Sequence, residues 1–287
     1  FSFLIIILSQ ALPQNLERIE PPFWWAGFKS AELQLMVYGE DISKLKPKID
    51  GSGIIIEKVH KVDSPNYLFL DLKLNDNVPQ TFEIQFFYKN EKVLSHDYEL
   101  KKREASFYRD KSLNPSDVIY LIMPDRFANG DKSNDEVDGL IEKSNRKNKD
   151  GRHGGDLQGI INNLNYLESM GFTHIWLNPV LENNQPDFSY HGYSTTDYYQ
   201  VDERFGSNAM YKQLSKEAAK RGLGIVKDLV LNHIGSGHWW MNDLPTKDWL
   251  NHQNKYIQTN HVHETVFDPH VTSCLLYTSP SPRDYPG

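Results

Sequence analysis

Beyond Pro115 three apolar runs alternate with helical patterns, and each run breaks off at a polar cluster; nothing else limits the possible folds as tightly. Val118–Met123 ends at Pro124-Asp125-Arg126, and Thr173–Leu177 stops at Asn178-Pro179. The third stretch, Gly222 to His233, reads Gly-Leu-Gly-Ile-Val-Lys-Asp-Leu-Val-Leu-Asn-His. Its Leu223, Ile225, Val226, Leu229, Val230 and Leu231 are too apolar for a half-solvated strand and predict a parallel strand covered on both faces. Asp156 is a good N-cap for a helix whose Leu157, Ile160, Ile161, Leu164 and Leu167 share a face, and Gly171 ends it. A second helix starts at Ser207, turns Met210, Leu214 and Ala218 inward, and stops at Gly222. The long insertions, 124–155 and 178–206, both follow strands, whereas the links around Gly171 and Gly222 are short. Long loops at the carboxyl ends of strands are where parallel α/β barrels carry function. A closed barrel needs eight strands and about 250 residues. Three strands therefore predict either a small open sheet or part of a larger fold.

Residues 16–110 have another rhythm. Glu32–Tyr38, Gly53–Val59, Tyr67–Leu74 and Phe82–Tyr88 alternate apolar and polar residues between turn signals such as Asp50-Gly51-Ser52-Gly53 and Lys89-Asn90-Glu91. Regular spacing of this kind predicts an immunoglobulin-like β-sandwich. Trp24 and Trp25 precede the strands; they suit either core packing or stacking on a glycan. Lys101 to Pro115 reads as a linker into the second region, 115–271.

The two ends are unlike the rest. Phe1 to Leu8 is an apolar block followed by Ser9-Gln10-Ala11, far shorter than the roughly 20 residues that span a bilayer. Residues 1–11 match the remnant of a secretory signal cleaved after Ala11, with a buried N-terminal strand as the alternative. A secreted, periplasmic protein with no membrane segment after signal removal is expected. Residues 273–287 are Pro- and Ser-rich, continue no upstream pattern and read as a non-native tail. The single cysteine, Cys274, lies there, so the remainder offers no disulfide or thiolate chemistry. The net charge of -7 without a basic stripe argues against a nucleic-acid partner.

Two clusters carry candidate chemistry. Asn129-Gly130-Asp131-Lys132-Ser133-Asn134-Asp135, with Gly154-Gly155-Asp156, offers closely spaced oxygen donors of the kind a hard cation takes, although Asx-rich loops also serve as plain turns. Six histidines between His233 and His270 fit no strong metal spacing and read as solvated loop residues.

Several ordered motifs resemble the α-amylase superfamily, glycoside hydrolase family 13, and within it the neopullulanase and cyclomaltodextrinase group. Asp228-Leu229-Val230-Leu231-Asn232-His233 is similar to that family's third-strand region, and Gly171 to Pro179 to its second-strand motif. Tyr190-His191-Gly192-Tyr193, Asp197-Tyr198 and Phe205-Gly206 resemble its following loop, and Met123 to Asp131 its first-strand motif. The likeness covers about residues 16–271. It implies an N-terminal immunoglobulin-like sandwich followed by the first three βα units of a (β/α)8 barrel.

The implied activity is retaining hydrolysis of α-1,4 bonds in maltodextrins, cyclodextrins or pullulan. Tyr193 would stack on a glucose, His191 and His233 would bond its hydroxyls, Asp228 would hold a neighbouring arginine, and Asn232 would shape the loop. Asn129, Asp131, Asn134, Asp135, Gly154 and Asp156 match the group's Ca2+ site. The exported form resembles periplasmic starch-utilisation enzymes of Bacteroidetes type, and the group implies a homodimer. The family's nucleophile, acid/base and third carboxylate come from strands four, five and seven, which the resemblance does not reach. The chain is thus expected to be an inactive front portion acting on an α-glucan oligosaccharide only as part of a longer enzyme. Two alternatives stay open: a non-catalytic glycan-binding protein built on Trp24 and Trp25, and a metal-dependent hydrolase using His191, Asp228 and His233.

Overall fold

Alternating residues of Glu32–Tyr38, Tyr67–Leu74 and Gln80–Tyr88 bury one side of each of these strands, and the strands of the first region pair into two sheets facing one core. The computed structural model describes residues 15–50, 53–103 and 113–251. The signal-like block, the Cys274 tail, most of the linker and the histidines beyond residue 251 lie outside the described residues. The described strands here are β1 (Arg18–Glu20), β2 (Trp24–Trp25), β3 (Glu32–Tyr38), β4 (Lys46–Ile49), β5 (Ile54–Lys61), β6 (Tyr67–Leu74), β7 (Gln80–Tyr88) and β8 (Glu91–Lys101). One sheet runs β1-β3-β6-β5 and the other β2-β8-β7-β4. All pairings are antiparallel except β2 with β8. Leu33, Leu35, Val37, Leu68, Leu70 and Leu72 of one sheet meet Phe82, Ile84, Phe86, Tyr98 and Leu100 of the other. This is the expected immunoglobulin-like sandwich.

The periodicity reading missed β8. Only Tyr98 and Leu100 of its residues are buried, so Glu91–Lys101 shows little alternation, and the strand runs on to Lys101 where a linker is expected. Trp24 packs against the core, while Trp25 is 37% exposed.

The described residues from 15 to 117 form one unit together with Trp239–Lys247. Within it Asn66 Nδ2 donates to Asp243 Oδ2 at 2.7 Å, the Tyr67 hydroxyl to the Asp243 carbonyl at 2.5 Å, and Ser64 N to the Pro245 carbonyl at 3.1 Å. The Trp239 ring lies 4.8 Å from that of Tyr38, with the Arg18 guanidinium 5.0 Å from its centroid.

The second unit carries β9 (Ile119–Ile122), α1 (Pro124–Phe127), α2 (Leu157–Asn162), α3 (Leu164–Ser169), β10 (His174–Leu177), β11 (Leu181–Glu182), β12 (Asp197–Val201), α4 (Asn208–Lys220) and β13 (Gly224–Lys227). Its parallel sheet is ordered β13-β10-β9, and Ile122, Leu177 and Lys227 stand in register. The segments after these three residues therefore leave the sheet on one side, the side of the long insertions. Leu157, Ile160, Leu164, Leu167, Leu214 and Ala218 pack on Ile122, Ile175 and Leu177. Ser207 caps α4 by accepting from Met210 N, as the sequence predicts.

Two expectations need correction. The single helix after Asp156 is divided at Asn163, whose side chain donates to the Gly159 carbonyl at 2.7 Å and competes with the helical ladder. The third apolar run is a strand only over Gly224–Lys227, because its partner ends at Leu177 and Pro179 has no amide to extend the pairing. Leu229 is 46% and Leu231 81% exposed, so the run is not covered on both faces. No helix of the described residues is long and apolar enough to cross a membrane.

Candidate functional site

The loop between β10 and α4 is held by buried charge. Asp202 and Arg204, two residues apart, pair through Arg204 Nε to Oδ1 at 2.9 Å and Nη2 to Oδ2 at 2.7 Å. Arg204 also donates to the carbonyls of Glu142 and Asn183, and Asp202 accepts from Asn183 N. Burial works to raise the Asp202 carboxyl, but the Arg204 hydrogen bonds and the nearby Arg152 charge hold it below the usual carboxylate range. Arg152 is equally buried, stacks over Phe205 at 4.7 Å, and donates from Nη1 to Ser189 Oγ at 3.1 Å. Burial pushes its guanidinium down to about 10, against the pull of Asp202.

On this support sits a short helical turn, Ser189–His191, followed by Gly192 and Tyr193. Gly192 has φ +83°, and a Cβ there would overlap the Pro179 carbonyl. The Tyr193 amide donates to His191 Nδ1 at 2.9 Å. In the neutral ring the proton then sits on Nε2. The Tyr193 hydroxyl donates to Asp228 Oδ2 at 3.1 Å, which also accepts from Trp176 Nε1 at 3.3 Å. His233 Nε2 lies 2.8 Å from the Tyr193 carbonyl and its Nδ1 3.2 Å from Asn232 Nδ2. The rings of His191 and Tyr193 are 5.7 Å apart. The structure thus brings together His191, Tyr193, Asp228, Asn232 and His233. It adds Trp176, Arg152 and Arg204, to which the sequence reading gives no role. A buried ion pair leaves no mark in composition, since Asp202-Glu203-Arg204 looks like any solvated charge run.

Burial lowers the His191 pKa from its ordinary 6.5. Protonation would also turn Nδ1 from acceptor to donor and break its bond to the Tyr193 amide. The folded form favours the neutral ring, so its stabilisation is complete above about pH 6.5 and lost as pH falls through the lowered folded value. Melting temperature measured from pH 8 to 5 should fall on the acid side, and His191→Gln should flatten that fall; equal slopes would contradict it.

The oxygen-donor loop is anchored separately. Asp156, the cap of α2, accepts from the amides of Gly130, Asp131 and Gly159, and Asp131 accepts from Ser133. Asn129 Nδ2 donates to Asp135 Oδ1 at 2.5 Å, and a Cβ on Gly154, at φ +81°, would overlap that same oxygen. The side-chain amide oxygens Oδ1 of Asn129 and Asn134 are buried without a hydrogen-bond partner. Orphaned amide oxygens beside carboxylates suit a hard cation that takes six to eight oxygens. Among the described residues no group of three or more His, Cys, Asp or Glu could hold a metal ion, so neither His191, Asp228 and His233 nor Asp131, Asp135 and Asp156 form one by themselves. His238, expected in solvent, is buried and packs 6.0 Å from the Tyr198 ring.

Comparison with known proteins follows the same division. Residues 18–104 match the cyclomaltodextrinase N-terminal domain and residues 121–272 the alpha-amylase catalytic domain. The chain is 45% identical over 119 residues to a beta/alpha-amylase of Paenibacillus polymyxa, covering 41% of this chain and 10% of that protein. It is 40% identical over 132 residues to neopullulanase 2 of Thermoactinomyces vulgaris, covering 45% and 22%. A solved Anoxybacillus alpha-amylase shares 45% identity, with a TM-score of 0.41, over 44% of this chain and 26% of that one. The chain spans less than a third of the length of these relatives. With more than half of its residues matched by the catalytic-domain model, the chain belongs to the alpha-amylase family.

Proposed function

We propose that this chain supplies the substrate-receiving rim of a retaining α-glucan hydrolase acting on α-1,4-linked maltodextrins, cyclodextrins or pullulan. The convergence of Tyr193, His191, His233 and Asp228 carries this reading. A phenol ring offers a flat apolar face to a pyranose, and the His191 Nε2–H is a donor for a sugar hydroxyl. His233 and Asp228 hold the tyrosine at its carbonyl and hydroxyl. This immobilises the ring before substrate arrives. Asn129, Asp131, Asn134, Asp135, Gly154 and Asp156 would hold Ca2+, which when bound supplies cross-linking charge to the loop. Retaining glycosidases need two carboxylates about 5–5.5 Å apart. We place the nucleophile and the acid/base outside these 287 residues, in a longer, exported and dimeric enzyme.

Calorimetric titration of the purified chain with maltoheptaose, alongside a reducing-sugar assay, tests this. Binding without turnover is expected. Tyr193→Ala should weaken binding about tenfold, the order of one ring's buried apolar surface. Turnover by the chain, or unchanged binding in the variant, would refute the reading. A second reading, glycan binding on the sandwich, is favoured by Trp25 and Phe28, each 37% exposed. Undiminished binding in Tyr193→Ala that is lost in Trp25→Ala would establish it instead.

A further inference from the structure

A strained aromatic residue stands at the tip of the loop that leads into the His191–Tyr193 turn. Among the described residues, Asp41, Lys89, Asn90 and Phe188 hold a positive φ without being glycine. Lys89 and Asn90 form the two-residue link between β7 and β8, where a tight hairpin demands that backbone. Asp41 is of a type that visits the region readily. Phe188, at φ +58° and ψ +19°, has no such reason: its Cβ crowds the following carbonyl, and a bulky residue there is a true outlier. The ring is also 47% exposed and belongs to neither buried core, so packing does not compensate the backbone.

Strain of this kind persists only where the surroundings enforce it, and it collects at ligand-binding sites. Here the enforcement is visible. Pro186, Asp187 and Phe188 are exposed between buried Gln185 and buried Ser189. Asn183 Nδ2 donates to the Ser189 carbonyl at 3.1 Å and closes the base of the loop. Ser189 N donates to Glu142 Oε2 at 2.6 Å, and Arg152 Nη1 to Ser189 Oγ at 3.1 Å. The tip is thus fixed at its flank while its ring faces solvent. The Phe188 carbonyl accepts from His191 N at 3.5 Å, so this residue opens the turn that carries His191 and Tyr193. Five positions separate Phe188 from Tyr193, which limits their Cα atoms to about 17 Å even in a fully extended chain. The turn shortens that span to the reach of a few linked glucose units.

We propose that Phe188 is an outer sugar platform, whose exposed ring stacks on a second glucose of the same α-glucan that Tyr193 receives, so that the loop favours longer chains. A phenyl ring offers a pyranose the same flat apolar face as the tyrosine does. The proposal rests on the reading under Proposed function and adds to it a second contact that selects for chain length.

Titration of the full 287-residue chain with maltotriose and with maltoheptaose, beside thermal melting, tests it. Phe188→Gly removes the ring and suits the backbone, whereas Phe188→Ala removes the ring and keeps the strain. In both, maltoheptaose should bind about fivefold more weakly, the order of half a ring's apolar surface, while maltotriose affinity stays unchanged. Phe188→Tyr keeps the ring and should bind both sugars as the wild type does. Phe188→Gly should also melt about 2–4 °C higher, because relief of a left-handed side chain outweighs the added freedom of the unfolded chain. Tyr193→Ala serves as the control and should weaken both sugars alike. The platform is overturned by undiminished maltoheptaose binding in the Gly and Ala variants, by equal weakening of both sugars in them, or by a Phe188→Gly that melts several degrees lower, which would make the ring a packing element. A wild-type chain that binds neither sugar refutes the reading under Proposed function and the platform with it; intact binding that ignores chain length refutes the platform alone.

Discussion

Arg204→Ala should destabilise the second unit by about 3–5 kcal/mol, the usual result of removing one partner from a buried ion pair. Both side chains of the pair are about fully buried, and the arginine makes four further or shared hydrogen bonds across Glu142, Asn183 and Asp202. Truncation strands the Asp202 carboxylate in a site that burial alone would force toward the neutral form. Thermal unfolding at pH 7 should show a lower transition, whereas Asp202→Asn combined with Arg204→Met should recover much of the loss. A double variant as unstable as Arg204→Ala would show that packing, not the stranded charge, sets the effect.

Gly192→Ala should be nearly as damaging to structure and more damaging to the site. The residue holds φ +83°, which costs an L side chain about 1–2 kcal/mol. The new methyl would in addition overlap the Pro179 carbonyl, a backbone atom that cannot step aside. Overpacking of this kind adds about 1–3 kcal/mol. Relief requires the turn to move, and Tyr193 is the next residue along. Maltoheptaose affinity is expected to fall more than tenfold, beyond the loss in Tyr193→Ala, since His191 is displaced as well. A variant with wild-type affinity would mean that the turn is not the sugar-binding element.

Local patterns made the elements legible and hid what joins them. Alternation in Glu32–Tyr38, Tyr67–Leu74 and Phe82–Tyr88 reports the sandwich because each strand turns one face to a single core. Ser207 and Asp156 announce their helices because capping is a contact over three residues. Leu229 and Leu231 misled because apolarity does not reveal whether a partner strand extends far enough to pair with them. The site residues were nameable from short motifs. Their mutual bonds cross 35 to 40 residues, from Tyr193 to Asp228 and His233, and have no local signature. Arg152 was invisible for a further reason: nothing in Gly151-Arg152-His153 says that this cation, unlike neighbouring Lys147 and Lys149, leaves water.

The return of Trp239–Lys247 to the sandwich also bears on the order of synthesis. Domains generally fold as units while emerging from the ribosome, the N-terminal one first. Here Asn66 and Tyr67 wait for Asp243, and so the seam of the first-made half closes only after more than a hundred later residues have been translated. A gene cut at codon 117 would deliver that half with the seam permanently open.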